Sequence, residues 1–245
     1  KSQVVLPCIA RELQVVAYIS VDPSGVPLHS QSTIDNTIAA VNEDFADFCI
    51  SFNLCKTVIM PEPRFNAWVL SEDEEDATNL HFEEDHINIY FVQTVSDSTG
   101  NVHGYAYFPG GKDVIVVAAP SATPLVVMPK NLSHQLGHFF GLYHTHETAF
   151  GAELVNGSNC STAGDLVCDT RADPFALNTV TNQPLFVANN TCNVVPNAQD
   201  ANNDWYMGPT ENLMSHYTYT CRERFTVAQF NRMVNQYLNF RSYLK

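Results

Sequence analysis

The chain has 245 residues, a net charge of −14, 45% hydrophobic residues and 16% charged ones. That length and apolar content suit one large domain or two small ones with a sizeable core, and they exclude a globally disordered chain. The acidic balance argues against nucleic acid or anionic membrane surfaces as partners, because each needs a basic face. No apolar run reaches the roughly 18 residues of a membrane span.

No basic-then-apolar leader opens the sequence, so the chain reads as starting after any signal peptide. Seven cysteines are present, at 8, 49, 55, 160, 168, 192 and 221. Four fall from residue 160 onward, where regular core is sparse and disulfides stabilise most. The expected compartment is oxidising, secreted or periplasmic, and the odd count leaves at least one thiol over.

Residues 13–21 read as a strand, followed by an Asp-Pro-Ser-Gly turn at 22–25. Ser32 to Phe48 reads as a helix, with Ile34, Ile38, Val41, Phe45 and Phe48 as one apolar stripe. Ser32 with Asp35 is its expected cap. Strands are predicted over 50–60, more weakly over 66–70, and over 86–95 and 113–118. Between them, residues 71–86 carry eight acidic side chains and read as a solvated loop. An aromatic segment, Gly104-Tyr-Ala-Tyr-Phe-Pro-Gly-Gly111, is broken by a turn. The series of strands and helices predicts a mixed α/β fold with a twisted, mostly parallel sheet.

A helix is then predicted over about 130–142. His134, His138 and His144 stand at relative positions 0, 4 and 10. The first two share one helix face. Gly141 can end the helix by turning left-handed, which brings His144 back from a new direction. Three imidazoles plus a water make an open zinc site. Buried, satisfied core histidines are the alternative, but the spacing and the glycine in register favour metal. His29, His81, His86 and His103 have no partner at ligand spacing. Residues 145–212 lack periodicity and read as irregular. The chain ends in a helix over 226–240, with Thr226 and Gln229 as a capping box.

The stretch His134-Gln135-Leu136-Gly137-His138-Phe139-Phe140-Gly141-Leu142-Tyr143-His144 resembles the metzincin signature His-Glu-x-x-His-x-x-Gly-x-x-His. Asn212-Leu213-Met214-Ser215-His216-Tyr217 resembles the methionine turn of that clan. Gly164-Asp165-Leu166-Val167-Cys168-Asp169-Thr170 and Phe225-Thr226-x-x-Gln229 narrow the resemblance to the pappalysin family, over about residues 13–235. The resemblance implies a secreted zinc endopeptidase. An upper subdomain, 1–144, would hold the sheet and zinc helix. An irregular, disulfide-tied lower subdomain, 145–245, would hold the methionine turn and the C-terminal helix. It implies one zinc on His134, His138 and His144, Met214 as an apolar floor, and calcium near Asp165, Asp169 and Thr170, whose plainer role is turn and cap chemistry. It also implies a peptide or protein substrate held extended along an edge strand, expected near 113–118. A monomer is expected.

Two residues depart from the pattern. Gln135 stands where the family's glutamate acts as general base, and an amide cannot take that proton. His216 stands where a tyrosine helps stabilise the oxyanion; a protonated histidine could donate there instead. One change alone would suit a deliberate inactivating substitution, whereas two suit a natural drift away from catalysis, and both readings stay open. The chain is therefore expected to be an impaired zinc endopeptidase, or else a non-catalytic, zinc-binding pseudo-protease that holds peptides. A purely structural zinc is disfavoured, because such sites are closed by four protein ligands. His146, two residues past His144, is expected at the surface. The favoured disulfides are Cys192–Cys221 and Cys160–Cys168. Cys8 is open to pairing with Cys49 or, less favoured, to blocking the zinc as a free thiol.

Overall fold

The computed structural model describes residues 8–121, 127–174, 192–194 and 198–245. The chain forms two compact units: 1–140 with 234–245, and 141–233.

The first unit is built on a five-stranded sheet in the order β2-β1-β4-β8-β7. Its strands are β1 (Arg11–Ile19), β2 (Ile50–Ile59), β4 (Ile87–Val92), β7 (Gly104–Ala106) and β8 (Val114–Ala118). The three pairings from β2 to β8 are parallel, and β7 alone runs antiparallel. A small second sheet joins β3 (Ala67–Val69), β5 (Thr94–Asp97) and β6 (Gly100–Val102). Strands β1, β4 and β8 are almost wholly buried, as inner parallel strands covered on both faces must be.

Three expectations need correction here. Helix α1 (Gln31–Phe45) is capped by Ser30, whose side chain accepts from the Thr33 amide, and not by Ser32. The acidic stretch is a loop only over its second part, 81–86: residues Leu70–Leu80 form helix α2. Its acids sit where a helix tolerates them, with Glu72 and Asp73 in the positive first turn. The Asp73 carboxylate takes the Val69 amide at 2.7 Å. Glu74 is buried and accepts from the Tyr105 and Tyr107 hydroxyls, each at 2.8 Å, and from Lys112 at 2.5 Å. Finally, the edges of the sheet are β2 and β7. Strand β8 at 114–118, where the edge was expected, lies inside the sheet between β4 and β7.

Helix α3 (Val127–Phe139) packs against α1, β7 and β8. It starts and ends about three residues earlier than predicted. Two polar clamps set its rotation. Asp44 of α1 takes the Lys130 ammonium and the Ser133 hydroxyl, each at 2.6 Å. Arg241, fully buried near the C-terminus, donates to the Phe139 carbonyl at 3.0 Å, one of the orphan acceptors at the end of α3. The same guanidinium stacks on the Phe139 ring at 3.6 Å, pairs with Asp113 and donates to the Tyr107 carbonyl at 2.9 Å. A cation at that helix end also favours the macrodipole. Aromatic packing fills the space between α1 and the sheet, with Phe45 edge-on to Phe52 at 5.1 Å. Cys8 is joined to Cys49, which excludes its role as a free blocking thiol.

The second unit has little regular structure apart from the start of helix α4 (Val227–Gln236). Of the irregular stretch expected over 145–212, residues 175–191 and 195–197 lie outside the described residues. Disulfides Cys160–Cys168 and Cys192–Cys221 tie this unit, as expected. The capping box is present: Gln229 takes the Thr226 amide at 2.8 Å, and the Gln229 amide reaches the Thr226 hydroxyl at 3.2 Å. Cys55 remains the free thiol, in a bulge of edge strand β2. Among the described residues no helix is long and apolar enough to cross a membrane.

Removing Arg241 would leave the Asp113 carboxylate and several carbonyls without their cation. Arg241→Met should cost about 3–5 kcal/mol of unfolding free energy, measured by urea denaturation.

Candidate metal centre

In the first unit α3 delivers two imidazoles. His134 and His138 are 4% and 8% exposed, one turn apart on the helix. Their Nε2 atoms stand 3.1 Å apart and their rings are perpendicular. Two nitrogens each about 2.0–2.1 Å from one zinc at a tetrahedral angle stand roughly 3.3 Å apart. The pair therefore fits a shared metal ion. The Phe108 ring, on the β7–β8 connection, lies 5.6 Å from His138. Gln135 lies between the two histidines in sequence and is 4% exposed.

In the second unit Gly141, at φ 88°, takes the left-handed conformation that turns the chain out of α3. His144 follows. Its Nε2 lies 3.1 Å from Nε2 of His216, and His146 stacks on it with ring centroids 5.0 Å apart. His146 is thus part of a histidine group rather than a bare surface residue. The segment behind His144 is pinned. The Thr145 amide donates to the Met214 carbonyl at 3.2 Å. The Thr145 hydroxyl donates to Asp173 at 2.5 Å, and the Tyr217 hydroxyl donates to the other oxygen of Asp173 at 2.8 Å. Tyr217 is thereby committed to Asp173 inside the unit. Met214 is fully buried, and its amide caps onto Asn212 at 2.8 Å. Asn212 and Gln229 exchange amide hydrogen bonds of 2.9 and 3.1 Å, so the capping residue of α4 also anchors the methionine turn.

The acidic neighbourhood is rearranged relative to the sequence expectation. Asp165 takes the Val167 amide at 2.9 Å and lies 3.0 Å from the Thr170 hydroxyl. Asp169 turns instead to the N-terminus of α4, where it accepts from the Ala228 amide at 2.9 Å. A residue not singled out from sequence joins the group: Glu153. One oxygen of Glu153 and one of Asp165 are buried without a hydrogen-bond partner. Burial, then Asp165 and Asp173, pushes the Glu153 carboxyl up to about 7. Burial likewise pushes Asp165 up to about 7, against the bonds from Thr170 and Val167. No fixed spacing links Glu153 to Asp165, which is why a motif search passes over it.

The fold is a mixed α/β one, and each unit holds a pair of imidazole nitrogens 3.1 Å apart, a spacing that suits a shared metal ion. No family model matches the chain. Among solved structures it is similar to mirolysin in complex with a compound, with a TM-score of 0.67 and 19% identity over 97% of this chain and 96% of that one. Mature mirolysin of Tannerella forsythia with a cleaved peptide matches at a TM-score of 0.62 and 19% identity, covering 93% and 91%. The chain is 26% identical over 224 residues to an extracellular metalloprotease of Colletotrichum graminicola, covering 85% of this chain and 69% of that protein. It is 26% identical over 227 residues to an extracellular metalloprotease of Pyricularia oryzae, covering 87% and 69%. These relatives and the three disulfides fit an extracytoplasmic location.

Because both buried carboxyls titrate higher in the folded chain than in the unfolded one, they hold protons that unfolding releases between about pH 4 and 7. Stability should therefore fall as pH rises through that window. Metal-free chain denatured in urea should be less stable at pH 8 than at pH 5. Glu153→Gln should shrink the difference.

Proposed function

We propose that the chain is a secreted zinc peptidase of pappalysin type whose hydrolysis is strongly impaired. The observation that carries the reading is the buried His134–His138 pair, 3.1 Å apart on a helix of metzincin-type placement. One zinc is held by His134, His138 and His144. Within the second unit, the His144 and His216 nitrogens 3.1 Å apart support a metal-holding role for His144. When bound, the zinc polarises a water and the scissile carbonyl.

The chain's own residues do the rest. An extended peptide adds to the free edge of β7 by main-chain hydrogen bonds. The complex of mirolysin with a cleaved peptide supports peptide as the ligand class. Gln135 holds the place of the proton acceptor without basicity. His216 is the residue placed to donate to a developing oxyanion, since the Tyr217 hydroxyl is spent on Asp173. Met214 forms the apolar floor.

One calcium ion takes the unpartnered oxygens of Glu153 and Asp165, with Thr170 beside them. Asp169 acts as a helix cap. The peptide-holding pseudo-protease is the second reading, and the substitution of an amide at 135 favours it.

Zinc titration followed by metal analysis should find one ion per chain, lost in His134→Ala. With zinc present, Gln135→Glu should cut a peptide library about 10²-fold or more faster than the chain as it stands. Zinc binding without cleavage by either form would move the assignment to the peptide-holding reading. Failure to bind zinc at all would sink both.

A further inference from the structure

Asn131 precedes Gln135 by one turn of α3, so their side chains share a face. The Asn131 amide nitrogen donates to the His103 carbonyl at 2.7 Å and to the Ala118 carbonyl at 3.3 Å. Those two carbonyls belong to the β7–β8 pair, where the Ala118 amide also donates to His103. Turned over, the Asn131 amide would set its oxygen against two carbonyl oxygens. It is therefore locked one way round. Its own oxygen is left facing Gln135, whose Nε2 lies 3.4 Å away. Gln135 must then present its NH2 to Asn131 and its Oε1 to the other side. That Oε1 is buried and has no hydrogen-bond partner. Gly104, on the edge strand at φ +150°, closes against the same amide. A Cβ there would stand 3.3 Å from the Gln135 Nε2 and 2.4 Å from the Val116 carbonyl.

We propose that Asn131 is a positioning residue for Gln135, and that the two amides with Gly104 form a unit built for a neutral, proton-donating side chain at 135. The unit leaves the Gln135 carbonyl oxygen buried on the far side from Asn131, without a hydrogen-bond partner. This inference rests on the proposed reading of α3 as the metal-holding helix and deepens it: the surroundings of position 135 are adapted to a neutral amide rather than to a proton-accepting carboxylate. A carboxylate at 135 would bring an oxygen against the Asn131 oxygen, and Asn131 cannot turn without giving up both backbone carbonyls. A short hydroxyl at 131 has no such conflict, because its proton rotates to either partner.

The test is a double-mutant cycle on Asn131→Thr and Gln135→Glu, read first as the melting temperature of the metal-free chain. That readout does not depend on zinc or on activity, so its failure is separable from failure of the proposed function. Each single variant should melt about 3 °C or more below the parent, and the double variant should lose clearly less than the two single losses combined. In the zinc-loaded chains, the double variant should cut peptide about 10-fold faster than Gln135→Glu alone. Additive melting shifts, or a double variant that unfolds, would overturn the coupling. So would a Gln135→Glu variant as stable as the parent.

Discussion

Two imidazole nitrogens held 3.1 Å apart inside a helix that water barely reaches form the constraint on which the first unit depends. Two lone pairs at that distance repel unless a proton or a cation lies between them. Keeping them there requires that α3 neither rotate nor slide. Asp44 fixes its rotation through Lys130 and Ser133, one turn before and beside the first histidine. Arg241 closes its C-terminus and at the same time holds the connection that lays Phe108 against His138. The flanking sheet contributes a rigid apolar face, with Val114, Ile115, Val116 and Val117 wholly buried. Polar clamps of this kind are costly to bury unless fully paired, and these are paired.

The second unit solves a different problem. It lacks a regular core and orders its chain by disulfides, a fully buried methionine turn and short polar links. Asp173 serves as its hub, joining the residue after His144 to Tyr217, three residues past Met214. Gln229 serves as a second, joining the start of α4 to Asn212. Each link places a histidine-bearing segment through a neighbour of the histidine. A substitution at Asp173 or Gln229 would thus be felt at His144 or His216 without touching either ring.

The histidine spacing, Gly141, the capping box and two disulfides were legible because each is a local pattern with a fixed period or offset. So was the apolar stripe of α1. What escaped reading was set by distant partners. Residues 71–80 look like a solvated loop until Tyr105, Tyr107 and Lys112 arrive to neutralise and satisfy Glu74. The edge of the sheet was misplaced because a run such as Val114–Ala118 reads as apolar whether it lies inside or at the rim, while three-residue β7 is too short to announce itself. Asn131 and Glu153 matter through bonds and charges to residues 12 or more positions away, which no spacing rule encodes.

The central claim is a zinc ion with an open coordination position. Zinc K-edge X-ray absorption on the chain loaded with one equivalent of metal tests it most directly. Three imidazole nitrogens at about 2.0–2.1 Å with one further oxygen ligand is the predicted shell. Four imidazoles, with His216 among them, would close the site and make the zinc structural. A shell of six oxygens would remove the metal from the histidines altogether.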